Sequence, residues 1–252
     1  MDDAQRLAIF RAQTRNVRRL EAARGQVRRT INLALRRGDV PAEEAHTVVL
    51  ALLYCAWLEA LFVKITHTPH GFHLSEISQV KSIQDASGIH AAWTKCIDIG
   101  LRHVPSGPKS GEIPNMRQRL NRLVAEFVNE PALIRNKIAH GQWVVALNRE
   151  RTAVNQEVTS RIEDLDIVVL DRWFECAKRL AEIVEALVES PDRHFRAAYW
   201  ELLTQLETDM DQMSSWTRTS RIATLRRKRT PRTSEAEGLP GQQAFAAAGG
   251  AV

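Results

Sequence analysis

The sequence predicts a mainly α-helical bundle, with one small β-hairpin following the helix that carries its most informative motif. Three observations point there. Apolar residues recur at three- and four-residue intervals over several long stretches. Glycine and proline fall mostly between those stretches rather than within them. Hydrophobic residues make up 44% of 252, ample for a core.

The first element is a helix from Asp3 to Arg37, where Phe10, Val17, Leu20, Val27, Ile31 and Ala34 form one stripe and arginines fill the other faces; Gly25 weakens its middle. Gly38-Asp39-Val40-Pro41 stops this helix and starts the next, from about Ala42 to Thr66, which is apolar on most sides and hence central. After a loop through Pro69 and Gly71, a short helix runs from Ser75 to about Ala86, and another follows Gly88 from Ile89 to Val104. Residues 105–114, PSGPKSGEIP, read as a flexible loop. Asn115 caps a helix to about Val128, and Pro131 restarts it into a short helix ending at Gly141. Trp143 to Leu147 and Thr152 to Val158, around the polar turn Asn148-Arg149-Glu150-Arg151, predict the β-hairpin. Asp166 to Glu189 returns to helix, with Leu170, Phe174, Ala177, Leu180, Ile183 and Leu187 on one face, and Pro191 opens the last helix, to about Ser214. From Thr217 the composition turns to Arg, Thr, Ser and Pro and then to low complexity, which predicts disorder. The expected organisation is a long basic helix over 1–38, a helical domain over 39–216 and a basic tail over 217–252.

The net charge of +5 conceals a division. Residues 1–37 hold ten arginines against three acids, residues 38–217 hold 18 cations against 25 acids, and residues 218–252 hold seven against two. Basic ends on an acidic body suit a polyanionic partner, although a solvated helix face explains the N-terminal charges equally well. Cys55, Cys96 and Cys176 are odd in number and lack metal-type spacing, so they read as core fillers of a reduced, cytoplasmic protein. The first residues have neither a basic leader nor an apolar core and predict no export signal. Val48 to Ile65 is long enough to approach a membrane span, but Glu59 and Lys64 interrupt it, so no membrane association is expected.

The chemistry concentrates in RNKIAHG, Arg135 to Gly141. The Arg-x4-His spacing is unspecific by itself, since about 0.9 matches arise by chance at this composition. Its setting carries the weight: Leu133 and Ile134 lead in, Ile138 and Ala139 keep one flank apolar, and Gly141 sits where a helix would end. RNA brings its own nucleophile, the 2′-hydroxyl, so a cleaving protein must move protons, steady charge on the phosphate and hold the backbone in line. His140 can exchange a proton near neutrality. Arg135 offers a permanent cationic fork to phosphate oxygens. Asn136 shares a helix face with His140 and would orient phosphate or imidazole, whereas Arg135 lies about 140° round from His140. The alternative is that an Arg/His pair at a helix end merely satisfies terminal carbonyls.

Arg135, Asn136 and His140, with the glycine and aromatic segment after them, resemble the signature of HEPN-domain ribonucleases of the abortive-infection type, over about Pro131 to Val145. The resemblance implies a helical domain, metal-independent RNA cleavage without a cofactor, a homodimer with its two motifs facing each other, and a role in phage defence or beside an antitoxin. A non-catalytic module of the same fold, binding RNA, a nucleotide or a protein, is the alternative.

Other residues bear on these expectations. Glu59, within an apolar run, needs a cationic partner; Arg135 is one candidate, Lys64 or a surface position the other. Lys137 and the tail cations Arg226, Arg227, Lys228 and Arg229 are expected to contact RNA, or in the tail only to solubilise. His67, His70 and His73 have a spacing that could serve zinc, but no cysteine or acid accompanies them, and no metal site is expected. The six tryptophans fall mostly on helical stripes and are expected in the core. Asp98, Asp164, Asp166 and Asp171 show no pairing suited to metal-dependent nuclease chemistry.

Overall fold

A computed structural model describes residues 1–105 and 111–227. Helices dominate it: α1 (Asp3–Arg37), α2 (Val40–Thr66), α3 (Leu74–Arg102), α4 (Glu112–Val124), a π-helical turn (Ala125–Asn129), α5 (Glu130–Ala139), α6 (Gln156–Glu163), α7 (Ile167–Glu189), a second π-helical turn (Pro191–Phe195), α8 (Arg196–Ser214) and α9 (Arg218–Arg227). Of the predicted loop at 105–114, residues 106–110 lie outside the described residues, and residues 112–114 already belong to α4, which starts before the expected cap at Asn115.

Local chemistry explains the boundaries. Asp2 caps α1 reciprocally with Gln5, each side chain accepting from the other's backbone N–H at 2.7 and 2.9 Å. Gly38, at φ 71°, ends α1 in the left-handed region, and the Asp39 carboxylate accepts from the Ala42 N–H to start α2 one residue later. Gly25 leaves α1 unbroken. Its stripe packs along α2, burying Val17, Ile31, Ala34 and Leu35. The N-terminal helix therefore shares the core of the rest.

Helix α2 is the axis of the bundle. By length and composition alone it could cross a membrane. In this fold half of its most apolar stretch is buried, and α2 packs against α1, α5 and α7. Leu50, Tyr54 and Ile65 are wholly enclosed. The apolar character that would suit lipid is used here for contacts on several sides.

Two expectations are corrected. Among the described residues no β-strand forms, and the predicted hairpin is reduced to a single antiparallel bridge between Leu147 and Val154. Side chains take the hydrogen bonds that a ladder would need. Asn148 Oδ1 accepts from the N–H groups of Thr152 and Ala153, Gln142 Oε1 accepts from Leu147, and Thr159 Oγ1 accepts from Ala146. Asn155 then caps α6 by accepting from Val158, so half of the predicted second strand becomes helix. Val144 and Val145, whose β-branching suggested a strand, stand exposed.

The second correction is in the tail. Residues 218–227 form α9, which packs on α1 and α7 although only three of its ten residues, Ile222, Ala223 and Leu225, are apolar. Arg218 donates two hydrogen bonds to Glu43, at 2.7 and 2.6 Å, Arg221 reaches Asn32 and Asp171, and Leu225 is buried. Ion pairs across elements do the holding, and a compositional test for disorder does not register them. Lys228, Arg229 and the residues beyond lie outside the described residues.

Asp171 gathers these charges. Its side chain is 3% exposed and pairs with Arg28 at 2.7 Å, Arg221 at 3.3 Å and Arg24 at 3.5 Å. Arg24 also bonds Glu175 and stacks 4.1 Å over the Phe174 ring. The basic ends are thus partly folded onto the acidic body. Asp171→Ala is expected to lower stability by about 3 kcal/mol, since three guanidinium groups lose one buried partner. Chemical denaturation of both proteins measures it, and a loss below about 1 kcal/mol would show that solvent screens the cluster.

Candidate functional site

The motif helix α5 is set by what Pro131 cannot do. Proline has no N–H, so the carbonyl of Phe127, four residues earlier, loses its helical donor. The Tyr54 hydroxyl of α2 donates to that carbonyl instead. Tyr54 is fully enclosed among Trp57, Trp173 and Phe174, and burial pushes its ionisation well above the ordinary tyrosine range, so it remains a donor. The thiol of neighbouring Cys55 donates weakly to the Pro131 carbonyl at 3.6 Å. The π-helical turn at Ala125–Asn129 thus meets α5 at a junction pinned from α2.

The other end of α5 is as the sequence predicts. Gly141 adopts φ 79°, its N–H donates to Ile138, and the Gln142 N–H donates back to Lys137, which together form a Schellman cap. His140 is the capping residue and is exposed. Among the described residues its imidazole has no hydrogen-bond partner.

Arg135 is about a third exposed and bonds the carboxylate of Glu59 on α2. It also donates to Asn136 Oδ1 at 3.2 Å. The guanidinium is therefore held from two sides, while Glu59, 43% exposed, contributes orientation more than stability. Arg135, Asn136 and Glu59 line a cavity of about 440 Å³, within the range of small-molecule sites. Its other walls come from Leu58 of α2, the π-helical turn at Val128 and Asn129, and α3 at Gln84, Gly88, Ile89 and His90. His140 is not among the lining residues. The structure unites three of the predicted groups and leaves the histidine outside on the helix end.

Lys137 has a partner within the chain. Its ammonium donates one hydrogen bond to the Leu147 carbonyl and holds the segment after the motif, a structural role that the sequence did not suggest. Arg226 and Arg227 are exposed on α9, but the structure does not bring them to the cavity. Arg218, at the start of α9, is tied to Glu43, about 24 Å along α2 from Glu59. Three tryptophans also depart from expectation: Trp143, Trp200 and Trp216 are each close to half exposed. The His67 imidazole is engaged with the Val63 carbonyl at 2.8 Å, and among the described residues no group of three or more His, Cys, Asp or Glu side chains could hold a metal ion.

Sequence reasoning missed His90, Gln84 and Asn129. Nothing local marks them, because they come from elements far from the motif and meet it only through packing. Burial pushes the Cys55 thiol up to about 12, so it lines the cavity as a neutral group. No family model, curated protein or solved structure matches the chain.

Tyr54→Phe isolates the junction. Removing one hydroxyl takes the Tyr54 donor from the buried Phe127 carbonyl, and should cost about 1–3 kcal/mol. Hydrogen exchange should accelerate at residues 125–135 more than in α7. A uniform acceleration would show that Tyr54 supports the core in general and not this junction.

Proposed function

We propose that the protein is a metal-independent, HEPN-like endoribonuclease that cleaves RNA by attack of its own 2′-oxygen. One observation carries the reading: Arg135, fixed by Glu59 and Asn136, faces a cavity of about 440 Å³, and the imidazole of His140, five residues further along α5, has no hydrogen-bond partner among the described residues. A fixed guanidinium suits the charge that builds on the phosphate as the O2′–P bond forms. A free imidazole can take or give the proton that moves in that step. The products are a 2′,3′-cyclic phosphate and a 5′-hydroxyl, and no metal or cofactor enters the chemistry. A homodimer, an antitoxin or defence-system partner and a cytoplasmic location belong to this reading through the motif resemblance, the last supported also by three buried free thiols.

A second reading, a non-catalytic phosphate- or RNA-binding module, is favoured by the position of His140 outside the cavity. One experiment separates the two. Purified protein incubated with RNA in EDTA should cleave it, and Arg135→Ala and His140→Ala should each lower the rate at least about 100-fold while the melting temperature barely changes. Binding of RNA without cleavage identifies the second reading. Wild-type rates in both variants, or a metal requirement, would remove the proposed mechanism.

A further inference from the structure

Cleavage by the 2′-oxygen moves two protons. One leaves the attacking hydroxyl as the O2′–P bond forms, and one must reach O5′ as the P–O5′ bond breaks. A single His140 cannot be deprotonated for the first and protonated for the second at the same moment. A second group is needed, and the cavity contains a candidate on α3.

His90 is half-buried and lines the same cavity as Arg135, Asn136 and Glu59. Two residues earlier, Gly88 adopts φ 82° and ψ −178°, a conformation essentially restricted to glycine. A Cβ placed there would meet no atom within 4 Å, so the backbone path and not packing requires glycine. The break turns the chain at the cavity wall, and Ser87, Gly88, Ile89 and His90 all face it.

The other titratable groups in the cavity are Cys55 and Glu59 from α2 and Arg135 from α5. The π-helical turn contributes Val128 and Asn129, and α4 and α7 contribute nothing. Cys55 is a neutral thiol, and Glu59 is committed to Arg135. Arginine does not exchange its proton near neutrality. Of the residues lining the cavity, His90 is left as the one whose side-chain type titrates there.

We propose that His90 is the second proton-transfer group of the site, supplied by the same chain that supplies Arg135 and His140. The inference rests on the ribonuclease reading and deepens it. One imidazole accepts the 2′-proton while the other, protonated, delivers a proton to O5′. The phosphodiester becomes a cyclic phosphate and an alcohol with no net change in protons, and exchange with water restores the pair.

The test measures cleavage rate against pH in EDTA for wild type, His90→Gln and His140→Gln. In parallel, the histidine C2–H resonances of the full chain are followed on addition of uridine 3′-monophosphate. Wild type should give a bell-shaped profile. His90→Gln should lose one limb and about 100-fold in kcat with little change in KM, and the nucleotide should shift the His90 resonance in the wild type. Cleavage by wild type with an unaltered rate and both limbs in His90→Gln overturns the assignment alone. A His90 resonance that the nucleotide leaves in place in a cleaving protein does the same, whatever the variant's folding. Failure of wild type to cleave overturns the ribonuclease reading and this assignment with it.

Discussion

The motif helix depends on a hydrogen bond that proline makes necessary. Pro131 denies the Phe127 carbonyl its normal donor, and a buried unpaired carbonyl costs about 1–3 kcal/mol. Tyr54 supplies the donor from the middle of α2, where its ring is already wedged among three aromatic neighbours. The site follows from this contact. One turn along α2 from Tyr54, Glu59 meets Arg135, one turn along α5 from Pro131, so the pinned junction fixes the guanidinium over the cavity.

Electrostatics shapes the rest of the chain differently. The basic ends look, by composition, like arms for a polyanion, yet Arg24, Arg28 and Arg221 all converge on Asp171, and Arg218 closes on Glu43. A carboxylate that is 3% exposed is costly to bury without partners, and three arginines from two distant segments provide them. Exposed cations remain on the same elements, Arg226 and Arg227 among them, but the fold separates them from the cavity. Long-range attraction of an anion is open to them, whereas Arg135 is the cation that lines the cavity.

The site is uneven in its degree of constraint. Arg135 is fixed by a carboxylate and an amide, while His140 caps a helix in solvent. Fixing the charged group and leaving the imidazole free suits a reaction in which charge accumulates at one place and protons travel. At Gly88 the glycine-only conformation brings α3 to the cavity wall beside α2, α5 and the π-helical turn, and with it the imidazole of His90.

Periodicity and punctuation were enough for most of the long helices. Gly38, Asp39, Asp166 and Gly141 act as caps for reasons contained in a few neighbouring residues, and the apolar stripes of α1 and α7 face the core as their spacing requires. Arg135, Asn136 and His140 were legible because they lie within six residues of one another. The β-hairpin was misread because Asn148, Gln142 and Thr159 compete for the backbone donors, and propensity does not weigh such competition. α9 was misread because its partners, Glu43, Asn32 and Asp171, are remote in sequence. Glu59 could be proposed as the partner of Arg135 from the expense of a carboxylate in an apolar run, but the choice over Lys64 was tertiary, since Lys64 pairs with Glu185. The sequence by itself determined the helical class, the caps and the motif, which are local and periodic. Only the tertiary structure decided that His90 shares a cavity with Arg135 and that His140 and Lys137 do not, because which side chains meet across helices depends on packing, and no spacing along the chain encodes it.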